Sequence, residues 1–212
     1  SPSPRLTVLK TYKLFIDGAF PRSESGRSLA VADAAGATIA HLCKASRKDL
    51  REAVEAARRA HDKWAAATAY NRGQILYRLA EILEERSLPT TAEDRALAID
   101  RAVHHAGWSD KVTAVLSTVN PVSQTFVNYS KIRPLGVVCA APDPADGLLG
   151  MVEALAASAV MGNGTILLID APQAELAVAL AEALATSDFP AGSSNVLIGD
   201  QGELLREAAR HD

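Results

Sequence analysis

From Tyr129 onward the sequence alternates between short apolar runs and longer helical ones, and this alternation constrains the fold more than any other feature. "YSKIRPLGVVCAAPD" is rich in strand formers and closes in a Pro-Asp-Pro turn. There follow the apolar "LLGMVEALAASAVMG", the strand-like "TILLID", the helical "QAELAVALAEALATS", the strand-like "SNVLIGD" and a last helical run, "GELLREAAR". Nearly continuous apolar strands separated by helices predict a parallel sheet covered on both faces, with right-handed crossovers. The expected class is therefore α/β, a Rossmann-like parallel sheet with flanking helices over about residues 135–212.

The preceding half predicts packing elements for that sheet. Residues 1–11 hold two Ser-Pro pairs and are expected to form a flexible arm. In "YKLFIDGAFPRS", Asp17-Gly18 between two apolar runs signals a β-hairpin. "SLAVAD" and "TIAHLCKA" read as strands. Ser46 followed by Asp49 is a capping box opening an amphipathic helix, and "NRGQILYRLAEILEERS" repeats the helical spacing. After a break at Pro89 a third helix begins, with Thr91 and Asp94 as a second box. Val112 to Asn128 is weakly patterned.

Charge and cysteine usage narrow the function classes. Among 212 residues the formal net charge is −3, which gives no reason to expect nucleic acid or an anionic membrane as partner. The apolar run near Leu148–Val160 contains Glu153 and is too short to span a bilayer. The first residues lack the apolar core of a signal peptide, and Cys43 and Cys139 have no metal-ligand spacing. A cytoplasmic protein with two buried thiols is expected, a single disulfide remaining open to counting alone.

A doubly wound sheet binds ligands beyond the carboxyl ends of its strands, here Ala141–Asp146, Leu168–Ala171 and Gly199–Gly202. None carries the Gly-x-Gly-x-x-Gly loop that brings backbone close to a pyrophosphate. "GNG" at Gly162–Gly164 precedes a strand and reads as a helix end and turn. "GDQG" lies at the correct end, where a plain β–α turn and a close phosphate approach at Gly199 and Gly202 both remain open. His104 and His105 diverge by about 100° on a helix and cannot share one metal. Cys139 has no neighbouring cation to lower its pKa. Asp143 and Asp146 read as turn formers, and Trp64 and Trp108 as packing anchors. No catalytic or metal-binding residue is assigned.

Several blocks nevertheless resemble the N-terminal, NAD(P)-binding half of aldehyde dehydrogenases: "YKLFIDGAFPRSESGRS", "ASRKDLREAVEAARRAHDKW", "NRGQILYRLAEILEER", "AGWSDK", "RPLGVV" and "FPAGSSNVLIGD", in order from Tyr12 to the end. The resemblance implies a domain over residues 12–212 that binds NAD(P) without the usual glycine loop. It also implies that the segment around Tyr129–Pro134 belongs to an oligomerisation-type β-hairpin. The departures from the family are at its functional positions. The asparagine that donates to the oxyanion falls at or beside Ala145. The lysine that holds the cofactor's ribose and phosphate falls at Leu168, or at Ile169 if the alignment shifts by one, and the acidic position falls at Ala171.

The sequence ends at "ARHD", where family members continue into a catalytic domain with its nucleophilic cysteine, so that domain is expected to be absent. The wording looks closest to the degenerate second modules that accompany an active dehydrogenase. These departures imply a non-catalytic structural or regulatory protein that associates with itself or with a full-length aldehyde dehydrogenase. The alternative is a fragment of a longer NAD(P)-dependent enzyme. No cofactor is expected to bind tightly, NAD(P) being the one implied if any, with Leu168, Ile169, Gly199 and Gly202 as the candidate contacts. Leu168→Lys, or Ile169→Lys under the shifted alignment, is expected to strengthen binding. The strand "SNVLIG" is expected to present an unpaired edge to a partner.

Overall fold

The structure is a computed structural model and describes residues 8–32 and 35–211. Its centre is a parallel sheet in the order β6 (Val137–Ala140), β7 (Gly164–Asp170), β8 (Ser194–Gly199). Val137 stands opposite Gly164, and Thr165 opposite Ser194. The connecting helices are α5 (Gly147–Val160) and α6 (Ala174–Leu184), and α7 (Gln201–Ala208) follows β8. The predicted alternation from Tyr129 is thus realised as a Rossmann-like layer.

β7 is enclosed on both faces. Ile166, Leu167, Leu168 and Ile169 are all fully buried. Successive strand residues point to opposite faces, and two contacts identify those faces. A Cβ on Gly164 would lie 3.1 Å from Ala57 Cβ of α1 (Arg47–Ala66), so Gly164, Ile166 and Leu168 face α1. The Thr165 hydroxyl donates to Ser158 Oγ of α5 at 2.8 Å, so Thr165, Leu167 and Ile169 face α5. The buried Asn163 joins the amino ends of β6 and β7, accepting from Leu135 N (2.6 Å) and Gly136 N (3.1 Å). "GNG" is therefore a structural turn.

The N-terminal half builds around this sheet. β1 (Lys10–Tyr12) runs parallel to β3 (Thr38–Cys43), which pairs antiparallel with β2 (Ser28–Ala32). Lys10 and Thr11 are thus ladder residues, so an arm reaching to residue 11 is too long; residues 1–7 lie outside the described residues. The Asp-Gly signal produces a tight turn, with Ile16 and Ala19 exchanging both backbone bonds at 3.0 Å. Asp17 (φ 53°) and Gly18 (φ 75°) take the left-handed conformation that such a two-residue turn demands.

This turn also corrects the expectation for "SNVLIG". Phe15 and Val196 exchange two backbone hydrogen bonds (2.9 and 2.8 Å), and Ala45 N donates to Ile198 O at 2.8 Å. All six residues of β8 are buried. The edge that the sequence left bare is covered by the chain's own N-terminal segment. Among the described residues it is β6, half-exposed along its length, that has a strand on one side only.

Ser46 and Asp49 make the predicted capping box of α1. The buried Asp49 carboxylate accepts from Ser46 N (2.7 Å) and also from Ser23 Oγ (2.7 Å) and Glu24 N (3.1 Å), fastening the loop before β2 to the helix start. α2 (Ala69–Glu85) and α3 (Ala92–Trp108) pack against α5, and Ala98 and Ala102 of α3 are fully buried. A short α4 (Val112–Leu116) leads to an antiparallel pair, β4 (Thr118–Asn120) with β5 (Asn128–Ser130). The hairpin implied around Tyr129–Pro134 is present, but its strands stop at Ser130 and begin in the weakly patterned region. No helix among the described residues is long and apolar enough to cross a membrane.

The second expected box is only half formed. Thr91 Oγ1 accepts from Asp94 N at 3.1 Å, but the Asp94 carboxylate turns away. It accepts from Leu148 N (2.9 Å), Leu149 N (3.0 Å) and the Thr90 hydroxyl, capping α5 from a different helix. A Cβ on Gly147 (φ 55°) would lie 2.7 Å from Asp94 Oδ2, so the turn admits the carboxylate only because residue 147 is glycine. Burial pushes the Asp94 carboxyl up, but the hydrogen bonds from Thr90, Leu149 and Leu148 outweigh this and hold it below its ordinary value. A depressed carboxyl stabilises the fold above its unfolded pKa of about 3.9 and loses that contribution as pH falls through the folded value. Asp94→Asn should therefore cost about 1–2 kcal/mol at neutral pH and progressively less below pH 4. Urea unfolding at several pH values measures this; a difference independent of pH contradicts it.

Candidate functional site

The ligand edge expected of such a sheet is formed by three turns. After β6, Asp143 Oδ1 accepts from Ala145 N at 2.8 Å and shapes a single 3-10 turn, Pro144–Asp146. Asp170 closes β7. Asp200 precedes α7 and caps it, accepting from Glu203 N at 2.7 Å.

Two glutamine amides tie these turns together. Gln173 Nε2 donates to Pro144 O at 2.9 Å, joining the turns after β7 and β6. Gln201 Nε2 donates to Pro142 O (2.8 Å) and to Leu168 O (2.9 Å), bridging the ends of β6 and β7. The backbone of the same residue donates to Asp170 Oδ1 at 2.9 Å. Donors at the α7 start, which could serve an anion, are given to Asp170 and Asp200. The α5 start is likewise given to Asp94.

Charged side chains also line this edge. Asp94, Asp143, Asp146, Asp170, Asp200 and Glu203 are gathered along this edge. The Lys44 ammonium is 3.4 Å from Glu203 Oε2. Arg47 and Lys48 share the hollow beside Glu203, and Arg206 lies beside Gly202, so the edge carries both signs of charge.

The sequence candidates fall unevenly on this geometry. Leu168 and Ile169 are both 0% exposed and point to opposite faces of β7, so neither side chain can touch a ligand. The physical reason is enclosure of β7 by α1 on one face and α5 on the other. Gly199 is buried, and a Cβ there would lie 3.4 Å from Ala45 N, so the junction between β3 and α1 covers it. Gly202 is exposed and offers backbone near Arg206 and Asp200. Ala145 is exposed on its turn and carries no donor beyond its backbone N–H.

Gln201 and Gln173 were missed by sequence reasoning. The usable signal for Gln201 is its place inside "GDQG", between the end of β8 and the start of α7. Asp94 was noticed, but as a cap for its own helix.

Among the described residues the other titratable groups form no reactive pair. The His104 and His105 rings meet edge to face at 5.4 Å; His105 Nε2 lies 3.2 Å from Glu153 Oε1. Cys43 is buried; burial pushes the half-buried Cys139 thiol up, away from the thiolate that nucleophilic attack needs. Both are unpaired. No group of three or more His, Cys, Asp or Glu among the described residues is placed to hold a metal. Trp64 is fully buried against Phe189, its ring 5.7 Å away, whereas Trp108 is 37% exposed.

The aldehyde dehydrogenase family profile matches residues 20–212. The chain belongs to this family. A putative aldehyde dehydrogenase, DhaS, of Bacillus subtilis is 35% identical over 92% of this chain and 43% of its own length. The mitochondrial 10-formyltetrahydrofolate dehydrogenase of Mus musculus is 29% identical over 97% of this chain and 24% of its own. A putative aldehyde dehydrogenase of Burkholderia cenocepacia superposes with a TM-score of 0.86 at 26% identity, over 94% of this chain and 43% of that one. PnpE, solved with nicotinamide adenine dinucleotide, superposes with a TM-score of 0.84 at 26% identity, over 94% and 44%. The chain thus spans less than half the length of these relatives, and its fold is that of their N-terminal Rossmann-like portion.

For an aldehyde dehydrogenase fold with this edge, a cation returned to β7 has no open space to enter. Leu168→Lys and Ile169→Lys should each destabilise the chain by about 3 kcal/mol or more, the cost of a buried unpaired ammonium. Thermal melts with and without NAD check this. An unchanged melting temperature with stronger NAD binding would restore the sequence-based expectation.

Proposed function

We propose that this chain is a non-catalytic aldehyde dehydrogenase-like protein whose NAD(P) edge no longer holds the dinucleotide tightly, and that it acts structurally or as a regulatory subunit. The observation that carries the reading is the self-occupied sheet edge, where Gln201 bridges Pro142 and Leu168 while Asp94, Asp170 and Asp200 take the helix-start donors. Acyl transfer through a thioester needs a thiolate, a base and an oxyanion hole together. Cys43 is buried, and burial pushes the half-buried Cys139 thiol up, so neither presents an exposed thiolate for the first role. Residual affinity is assigned to the exposed backbone at Gly202, Gly199 being covered by the β3–α1 junction. Two unpaired thiols fit a reducing, cytoplasmic compartment.

Calorimetry of the purified chain should give no NAD or NADP binding tighter than millimolar, and mixtures with short aliphatic and aromatic aldehydes should form no reduced cofactor. Micromolar affinity, or turnover abolished by Cys139→Ala or Cys43→Ala, overturns the reading.

A second reading has its own support. The free side of β6 and the partial span of the relatives favour a piece of a longer NAD(P)-dependent aldehyde dehydrogenase. The intact mass of the native protein separates the two.

The partner under the first reading is a second copy or a full-length aldehyde dehydrogenase. The β4–β5 hairpin supports this, because Val119, Phe126, Val127 and Tyr129 are each more than two-thirds exposed or close to it (80, 71, 82 and 67%). Large apolar side chains left this exposed on one hairpin favour a partner surface. Val119→Glu with Val127→Glu should shift the chain from dimer or larger species to monomer in light scattering. A wild-type monomer at tens of micromolar that also ignores an added full-length relative contradicts this.

A further inference from the structure

A pocket with no assigned role lies where the loop before β2 meets the three-stranded sheet. It encloses about 340 Å³ and is lined by Thr11, Arg22, Arg27, Ser28 and His41, with Cys43 at its base. No carboxylate lines it. A second hollow of about 400 Å³ adjoins it at Arg27 and brings in Lys44, Arg47 and Lys48. The acidic residues there, Glu24 and Glu203, are already engaged by Lys48 (2.8 Å) and Lys44 (3.4 Å). The guanidinium groups of Arg22 and Arg27 have no hydrogen-bond or ion-pair partner among the described residues. In a chain whose net charge is −3, unopposed arginines at a concave surface are an uncompensated local charge.

The loop that carries them is fixed in place. Ser23 Oγ donates to the buried Asp49 at 2.7 Å, and Gly26 N donates to Ser23 O at 3.0 Å. Arg27 N donates to Ser25 Oγ at 3.2 Å, while Lys44 N donates to Arg27 O at 3.1 Å, tying the loop to β3. Both arginines therefore project from backbone that needs no ordering on binding, which removes part of the entropic cost.

We infer that this pocket binds a small phosphomonoester, its phosphate held between Arg22 and Arg27. A guanidinium presents a planar fork that matches phosphate oxygens in pairs. Thr11, Ser28 and His41 supply hydrogen-bonding groups for a polar body. The volume lies at the lower end of ligand pockets, about 300–1,000 Å³, which suits a sugar-phosphate-sized molecule and not a dinucleotide. The site is independent of the dehydrogenase edge, so it stands or falls without the reading proposed above.

The test is an amide NMR titration of the chain with inorganic phosphate, with glucose 6-phosphate, and with sodium chloride at matched ionic strength. Saturable shifts are expected at Thr11, Ser23–Ser28 and His41, stronger for the sugar phosphate than for inorganic phosphate and absent with chloride. Arg22→Gln and Arg27→Gln should each weaken binding by about tenfold or more. Arg27→Lys should fall between wild type and Arg27→Gln, because charge survives but the fork does not. Arg47→Gln, outside the pocket, should bind as wild type does. These side chains are solvent-exposed, and melting curves verify that each variant is folded. The inference is overturned if no saturable shift occurs, if shifts persist in the Arg22→Gln/Arg27→Gln double variant, or if the sugar phosphate binds no better than inorganic phosphate.

Discussion

The enclosure of β7 governs the rest of the molecule. A strand with a neighbour along each edge and a helical layer over each face can hold only apolar or internally bonded side chains. Ile166 to Ile169 are all buried as a result, and Thr165 is acceptable because its hydroxyl meets Ser158. This enclosure supplies the hydrophobic driving force for docking α1 and α5 onto the sheet. It also sets the chemistry of the ligand edge, since no cation can project from Leu168 or Ile169 without first opening the core.

With β7 closed, the polar atoms at the strand ends satisfy one another. Buried or half-buried backbone groups need partners, and here Gln201, Gln173, Asp94, Asp170 and Asp200 provide them. In a dinucleotide-binding edge the same donors and acceptors would be left for cofactor. These intramolecular hydrogen bonds hold the three turns together. The fold is that of the N-terminal portion of an aldehyde dehydrogenase, and its strand ends are closed by the chain's own side chains.

Much of the architecture was legible in the sequence because it rests on local rules. The 3.6-residue spacing of Leu50, Val54 and Ala57, the Ser46–Asp49 box and the apolar strands of the second half each announce their element directly. The Asp17-Gly18 turn was equally legible, but its consequence was not. Phe15 pairs with Val196 across some 180 residues of chain, and no local pattern encodes such a pairing. The supposedly open edge at "SNVLIG" was therefore closed, and the one-sided strand proved to be β6. Asp94 gives the same lesson on a smaller scale. Its spacing from Thr91 matched a local cap, yet the carboxylate found stronger donors at Leu148 and Leu149, whose N–H groups begin α5.

The sequence by itself determined the α/β class, the family resemblance, and the absence of lysine at the end of β7 and of asparagine in the turn after β6. These follow from residue identity and short-range periodicity. Only the tertiary structure decided which edge of the sheet is free, that Leu168 and Ile169 are sealed from any ligand, that Gln201 spans the strand ends, and that Arg22 and Arg27 meet in one pocket. Each of these depends on segments far apart in the chain being brought within hydrogen-bonding or van der Waals distance. Such contacts are selected by the packing of the whole core, and no single stretch of sequence carries them.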